Sequence, residues 1–219
     1  MKNKIKNLFK HKILVLDGAM GTMVQSHNLE ESDFRGERFK HHLNDLEGNN
    51  DILCITKPNI VADIHKAYFD SGCDIVETNT FNANSISQSD YKLEDYVYKL
   101  NFESARIAKK ASNNFNDKPR FVAGSVGPTN RTASISPEVN DPSYRNISFD
   151  QLNDAYQEQI EALVDGGVDI ILIETFLSYT PLDLEHLHYL NSTHQHAHLQ
   201  DYPIESQKLA LLQSIANKH

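Results

Sequence analysis

At 219 residues, with 39% of them hydrophobic and 23% charged, the chain is long enough and apolar enough to bury a core as one globular domain. A formal net charge of −9 argues against a nucleic-acid partner, because phosphate binding needs Lys and Arg clustered on one face. Small molecules or other proteins are the expected partners.

The first twelve residues, MKNKIKNLFKHK, read as a basic N-terminal extension. They resemble the start of a signal peptide, but the apolar ILVL that follows runs straight into Asp17 and is too short for its hydrophobic region. No stretch approaches the roughly 20 apolar residues of a membrane span, so no membrane association is expected and the cytoplasm is the expected compartment. Cys54 and Cys73 are the only cysteines, too few for a disulfide scaffold and not spaced as a zinc motif. Each is expected to be a small buried side chain.

Four segments rich in aliphatic and β-branched residues predict strands: ILVLD at 13–17, DIVETN at 74–79, RFVAGS at 120–125 and DIILIET at 169–175. Near-continuous apolar runs, rather than alternation, suit strands of a parallel sheet covered on both faces. Amphipathic stretches at 58–70, 93–111 and 149–164 predict the intervening helices. In the first of these Ile60, Ile64, Ala67 and Tyr68 share a face, Pro58 suits the first turn and Gly72 the stop. A weak repeat supports the reading: FDSGCDIVETNTF from Phe69 is echoed by LVDGGVDIILIETF from Leu163. Repeated βα units with right-handed crossovers build a barrel or a wound sheet.

Polar residues fall at the same place in every unit: Asp17; Glu77, Thr78 and Asn79; Ser125; Glu174. All stand at or just after strand C-termini, the face on which parallel barrels build substrate sites. Any one of them could simply cap the following helix, but the set points to a site. In LDGAMGTM at 16–23 a carboxylate precedes Gly18 and Gly21, so backbone amides can approach a ligand while Asp17 holds an ammonium. A tight βα turn is the plainer explanation of those glycines, and the run is not GxGxxG. ETNTFNAN at 77–84 and AGSVGPTNRT at 123–132 are polar loops suited to recognising a small ligand.

Taken together, DGAMGT, RGERF, GNNDILCITKP, ETNTF, GSVGPTNRTASISPEVNDPSYRNISFD and GGVDIILIET resemble, in order and character, the homocysteine-binding domain of cobalamin-dependent methionine synthases. The resemblance covers 13–176, and the long GPTNRTASISPEVNDP loop favours that branch over the small stand-alone homocysteine methyltransferases. It implies an α/β fold: the first half of a (β/α)8 TIM barrel, about four βα units. It implies that Asp17, Gly18 and Ala19, with Glu174, grip the amino-acid end of homocysteine, and that Glu77 and Asn79 line the same pocket. It also implies Zn²⁺ to activate the thiol, methylcobalamin as donor, and the remaining methionine synthase domains as partners.

The chain departs from that pattern in its metal site. The family draws three cysteine ligands from later strands, in an NC element and a CC pair, and no such element occurs here. No metal ligand is therefore assigned. Beyond Phe176 the family's DTLNAK-like helix start is replaced by FLSYTPLDLEHLHYL, which opens a divergent, His-rich tail at 177–219. Stretches 182–190 and 207–216 could be helical there. HLH from His186 and HQHAH from His194 could present imidazoles to a metal, although a solvated tail is the simpler reading. A barrel of this class needs about 250 residues to close, which predicts open strand edges. The expectation is methyl transfer to homocysteine as the family activity, with this chain inactive alone. The rivals are an inert homocysteine- or partner-binding module and a stand-alone methyltransferase using another donor.

Overall fold

The computed structural model describes residues 2–133 and 136–175. Eight α-helices and three strands are found among them: α1 (Lys2–His11), α2 (Met20–Gln25), α3 (Glu31–Arg35), α4 (Leu53–Thr56), α5 (Pro58–Asp70), β1 (Ile75–Glu77), α6 (Ser85–Gln88), α7 (Val97–Ser112), β2 (Phe121–Val126), α8 (Phe149–Asp165) and β3 (Ile170–Ile173). The strands form one parallel sheet in the order β1-β2-β3, with Ile75 opposite Phe121 and Ala123 opposite Ile170. The helices that link them are the crossovers expected of repeated βα units.

Three of the four predicted strands are present, and the first is reduced to a single parallel bridge between Leu16 and Ile75. The reason is local. The Val15 N–H is taken by the Asp74 carboxylate at 3.0 Å instead of a strand carbonyl, and Ile13 and Val15 are 88% and 54% exposed. The segment still lies beside β1, because Val15 O accepts from Asp74 N and Ile75 N, and Asp17 N donates to Ile75 O at 3.0 Å.

The sheet has two faces with different covers. Val76, Val122 and Val126 face outward into a core with Phe69, Ala105, Leu152, Tyr156 and Leu163 from the helices. Ile75, Phe121, Ala123, Ile170 and Leu172 face the other way, onto Ile5, Leu8 and Phe9 of α1. The basic extension is thus an amphipathic helix whose apolar stripe, spaced at i, i+3 and i+4, covers the inner face. A third cluster joins Phe34, Phe39, Leu46, Leu53, Val61 and Leu100 and anchors the long connection between residues 26 and 57.

The helix ends follow the sequence closely. Pro58 opens α5, and Gly72, at φ +102°, turns the chain after it. Ser148 caps α8 with a reciprocal box: its Oγ accepts from Gln151 N at 3.2 Å while Gln151 Oε1 accepts from Ser148 N at 2.9 Å. The helix expected at 93–111 begins with a 3₁₀ turn, Glu94–Tyr96, and becomes α-helical at Val97. The possible helices at 182–190 and 207–216 and the histidine motifs beyond Glu185 lie outside the described residues. No described helix is long and apolar enough to cross a membrane.

Candidate active site at the strand C-termini

The inward-facing stripe of each strand is apolar until its last position, where it becomes polar. In steps of two along the pleat, Ile75 gives way to Glu77, Ala123 to Ser125 and Leu172 to Glu174. Side chains of one parity from neighbouring parallel strands must converge, so Glu77, Ser125 and Glu174 meet at the C-terminal rim. Asp17 joins them from the bridged segment. With Gly18, Ala19 and Asn79 they line a cavity of about 430 Å³. The six residues that the family resemblance implied, Asp17, Gly18, Ala19, Glu77, Asn79 and Glu174, therefore fall in one place, together with Thr78 and Ser125.

The contacts there are specific. Both carboxylate oxygens of Asp17 accept the Glu77 backbone N–H at 3.1 Å. Ser125 Oγ donates to Glu174 Oε1, and Glu77 and Glu174 line the same cavity. Burial pushes the Asp17 carboxyl up to about 7, with the nearby Glu174 charge adding to the effect. Burial and the two neighbouring carboxylates hold Glu77 well above the ordinary carboxyl range. Among the described residues lining the cavity none is Lys, Arg or His, while four are acidic: Asp17, Asp51, Glu77 and Glu174.

Thr78 and Asn79 serve the frame of the site. Thr78 Oγ1 accepts from Ser125 N at 2.9 Å and lies 2.6 Å from Thr80 Oγ1, which donates to Ser125 O at 2.7 Å. Gln159 of α8 donates to Thr80 O at 2.8 Å, so the loop after β1 is locked to β2 from two sides. Asn79 donates to Asn50 O at 2.7 Å, and the Cys54 thiol donates to Asn79 O at 3.5 Å.

Sequence reasoning missed the wall opposite the strand ends, formed by Gly48, Asn49, Asn50, Asp51 and Tyr91. Asn49 and Gln88 exchange side-chain amide bonds of 2.8 and 3.3 Å, and Gln88 Nε2 also reaches Asp51 Oδ2 at 3.4 Å. Full burial pushes Asp51 up to about 7. The signal was the polar run GNND, which lies far from any strand end in sequence. Tyr68 was read only as a helix-face residue. Its hydroxyl donates to Ala19 O at 3.3 Å and packs over Gly18, where a Cβ would come within 3.2 Å of it.

The cysteines do not suit zinc. Cys54 is buried among protein partners, with its thiol pushed up to about 12 by desolvation. Cys73 precedes β1, at the opposite end of the strand from the rim, and burial pushes its thiol up to about 11. A zinc ligand must be a thiolate, and both environments disfavour one. Among the described residues no group of three or more His, Cys, Asp or Glu could hold a metal ion.

A parallel α/β sheet with an acidic cavity at its strand C-termini carries its polar pocket where α/β folds build ligand sites. A profile of the homocysteine S-methyltransferase family matches residues 14–187, and the chain belongs to that family. The match runs past residue 176, where the motif-by-motif resemblance stops. Among solved structures, the chain is similar to the homocysteine methyltransferase MmuM of Escherichia coli. The metallated form gives a TM-score of 0.60 and the oxidized form 0.61, each at 21% identity over 85% of this chain and 60% of that one. The apo form gives 0.52 over 84% and 55%. The fold is therefore that of part of a homocysteine methyltransferase barrel, and the chain spans about 60% of the length of the structures it resembles.

Proposed function

We propose that this chain is the amino-acid-binding portion of a homocysteine methyltransferase, with Asp17 and Glu174 gripping the ammonium group of homocysteine. Gly18 and Ala19 bring backbone against the ligand, and Glu77 and Asn79 complete the wall. One observation carries the reading: three carboxyl groups from separate segments converge on one cavity whose described lining includes no cationic side chain. Carboxylates in that setting need a cation, and a charge-assisted N–H···O bond is the usual solution.

The methyl donor in this reading is methylcobalamin, supported by the long GPTNRTASISPEVNDP loop at 127–142, which resembles the cobalamin-dependent methionine synthases. Described residues of the β2–α8 connection bond to one another: Ser136 Oγ donates to Asp141 O at 2.6 Å, and Arg145 Nε donates to Ala133 O at 2.7 Å. The remaining methionine synthase domains would be its partners.

The chain alone does not make methionine at a meaningful rate in this account. Thiol activation in the family uses a thiolate-rich zinc site, and the only two cysteines here are held as neutral thiols away from that task. Asp17 and Glu174 hold the substrate without acidifying its thiol. The test is methionine formation from homocysteine, zinc and either methylcobalamin or a small-molecule donor, with bound zinc measured, on the full chain and on residues 1–176. The expected result is no turnover with either donor. Tail-dependent turnover with stoichiometric zinc would overturn the inactive reading and make the tail histidines ligands.

A further inference from the structure

Among the described residues lining the cavity, Met20, Phe81 and Tyr91 are the large apolar ones. Met20 and Tyr91 have a structural reason to be there, since both pack against the cluster of Leu46, Leu53 and Leu100. Phe81 does not. It stands outside all three apolar clusters and is 37% exposed. An aromatic ring left open in a polar pocket forgoes the burial that normally justifies it. Its position is nevertheless held firmly. Thr80 Oγ1 donates to Ser125 O at 2.7 Å, Thr80 O accepts from Gln159 Nε2 at 2.8 Å, and Asn82 O accepts from Gln88 Nε2 at 3.1 Å, so both chain neighbours of Phe81 are pinned. Gly127 lets the ring come close, for a Cβ there would lie 2.8 Å from Phe81 Cδ2. The chain thus fixes an uncovered ring in the cavity that holds the carboxyl groups.

We infer that the Phe81 ring is the surface on which the amino acid's side chain lies, and that it selects an apolar or sulfur end over a hydroxyl. This rests on the proposed function, which puts the ammonium group at Asp17 and Glu174 in the same cavity. The chemistry of the walls divides the work. Carboxylates hold the charged end, and the fixed ring covers methylene and sulfur, which lose little hydration on contact with it. A hydroxyl laid on that face gives up water and finds no partner in the ring. Phe81 therefore sets which side chain the site accepts: a short, unbranched one that ends in carbon or sulfur.

Norvaline, homocysteine and homoserine form the matched set that tests this, because they differ only in a terminal CH₃, SH or OH. Calorimetric titration of the full chain at pH 7 should show norvaline and homocysteine binding at least about fivefold more tightly than homoserine. Norvaline has no thiol, so its preference owes nothing to a metal. Phe81→Ala should bring the norvaline and homoserine affinities within about twofold of each other, while Phe81→Leu, which keeps an apolar surface, retains most of the preference. Thermal melting shows whether each variant is folded. A nuclear Overhauser contact between the norvaline methyl group and the Phe81 ring, sought in the wild type, reads the same placement without any substitution. Homoserine binding as tightly as norvaline, a preference unchanged in folded Phe81→Ala, or no such contact in the saturated complex overturns this inference and leaves the proposed function standing. Absence of binding by all three amino acids overturns both.

Discussion

Asp17 holds the backbone N–H of Glu77 with both carboxylate oxygens at 3.1 Å, so the segment that failed to become a full strand is tied to β1 at the point where the cavity begins. The bond fixes two acidic residues from segments 60 positions apart in sequence. It also means that substitutions at Asp17 act on the frame of the site as well as on its charge.

Acidic cavities leave a signature in stability. Asp17 and Asp51 are raised to about 7 from an ordinary 3.8, and Glu77 is raised as well. A raised carboxyl contributes stability that is fully present below its unfolded value and lost as pH climbs through the folded one. His65 acts in the opposite sense. Buried with no hydrogen-bond partner for either ring nitrogen, it is lowered from 6.5 to about 4 and costs stability as pH falls through that range. Three carboxyls outweigh one imidazole, so the ligand-free chain should gain on the order of a few kcal/mol from pH 8 to about pH 5. Thermal melting across that range checks it; a Tm that falls steadily with acid would contradict the assignment. Asp51→Asn should raise Tm at pH 8 and change little at pH 5.

Gly127 is a packing requirement. A Cβ there would lie 2.4 Å from Phe81 O and 2.8 Å from the Phe81 ring, and the backbone oxygen cannot swing aside. Gly127→Ala should cost about 1–3 kcal/mol and displace the loop that carries Thr80 and Asn82. Gly21→Ala, whose nearest neighbour would be Asn50 Nδ2 at 3.9 Å, is the matched control and should fold normally. Equal melting temperatures for the two variants would refute the steric account.

Asn79 is tied to the 48–54 segment through Asn50 O and Cys54. Asn79→Ala should cost about 1–2 kcal/mol and raise amide exchange in that segment while leaving β2 and β3 protected. Unchanged exchange at Asn50 would show that the segment is held by its own apolar core.

Much of this was legible because strand-end chemistry repeats. The runs at 74–79 and 169–175 contain β1 and β3, the run at 120–125 covers β2 except Val126, and the polar residues at their ends meet at one rim, as strand parity requires. Segment 13–17 was read as a full strand from its aliphatic run, but a run does not reveal that Asp74 captures the Val15 N–H. The α1 helix was hidden by its lysines, although Ile5, Leu8 and Phe9 already carried helical spacing. Asn49 to Asp51 escaped because their place in the cavity is set by the packing of Leu46, Leu53 and Leu100, a long-range property that local pattern does not encode.

The central claim is that Asp17 and Glu174 hold the ammonium group of homocysteine, and homocysteine affinity of the wild type, Asp17→Ala and Glu174→Ala, measured by calorimetry at pH 8, tests it most directly. Each substitution removes a charge-assisted partner and should weaken binding by about 1.5–3 kcal/mol, roughly ten- to a hundredfold, in variants whose melting shows them folded. Homocysteine affinity unchanged in both folded variants would contradict the account and remove these carboxylates from the site.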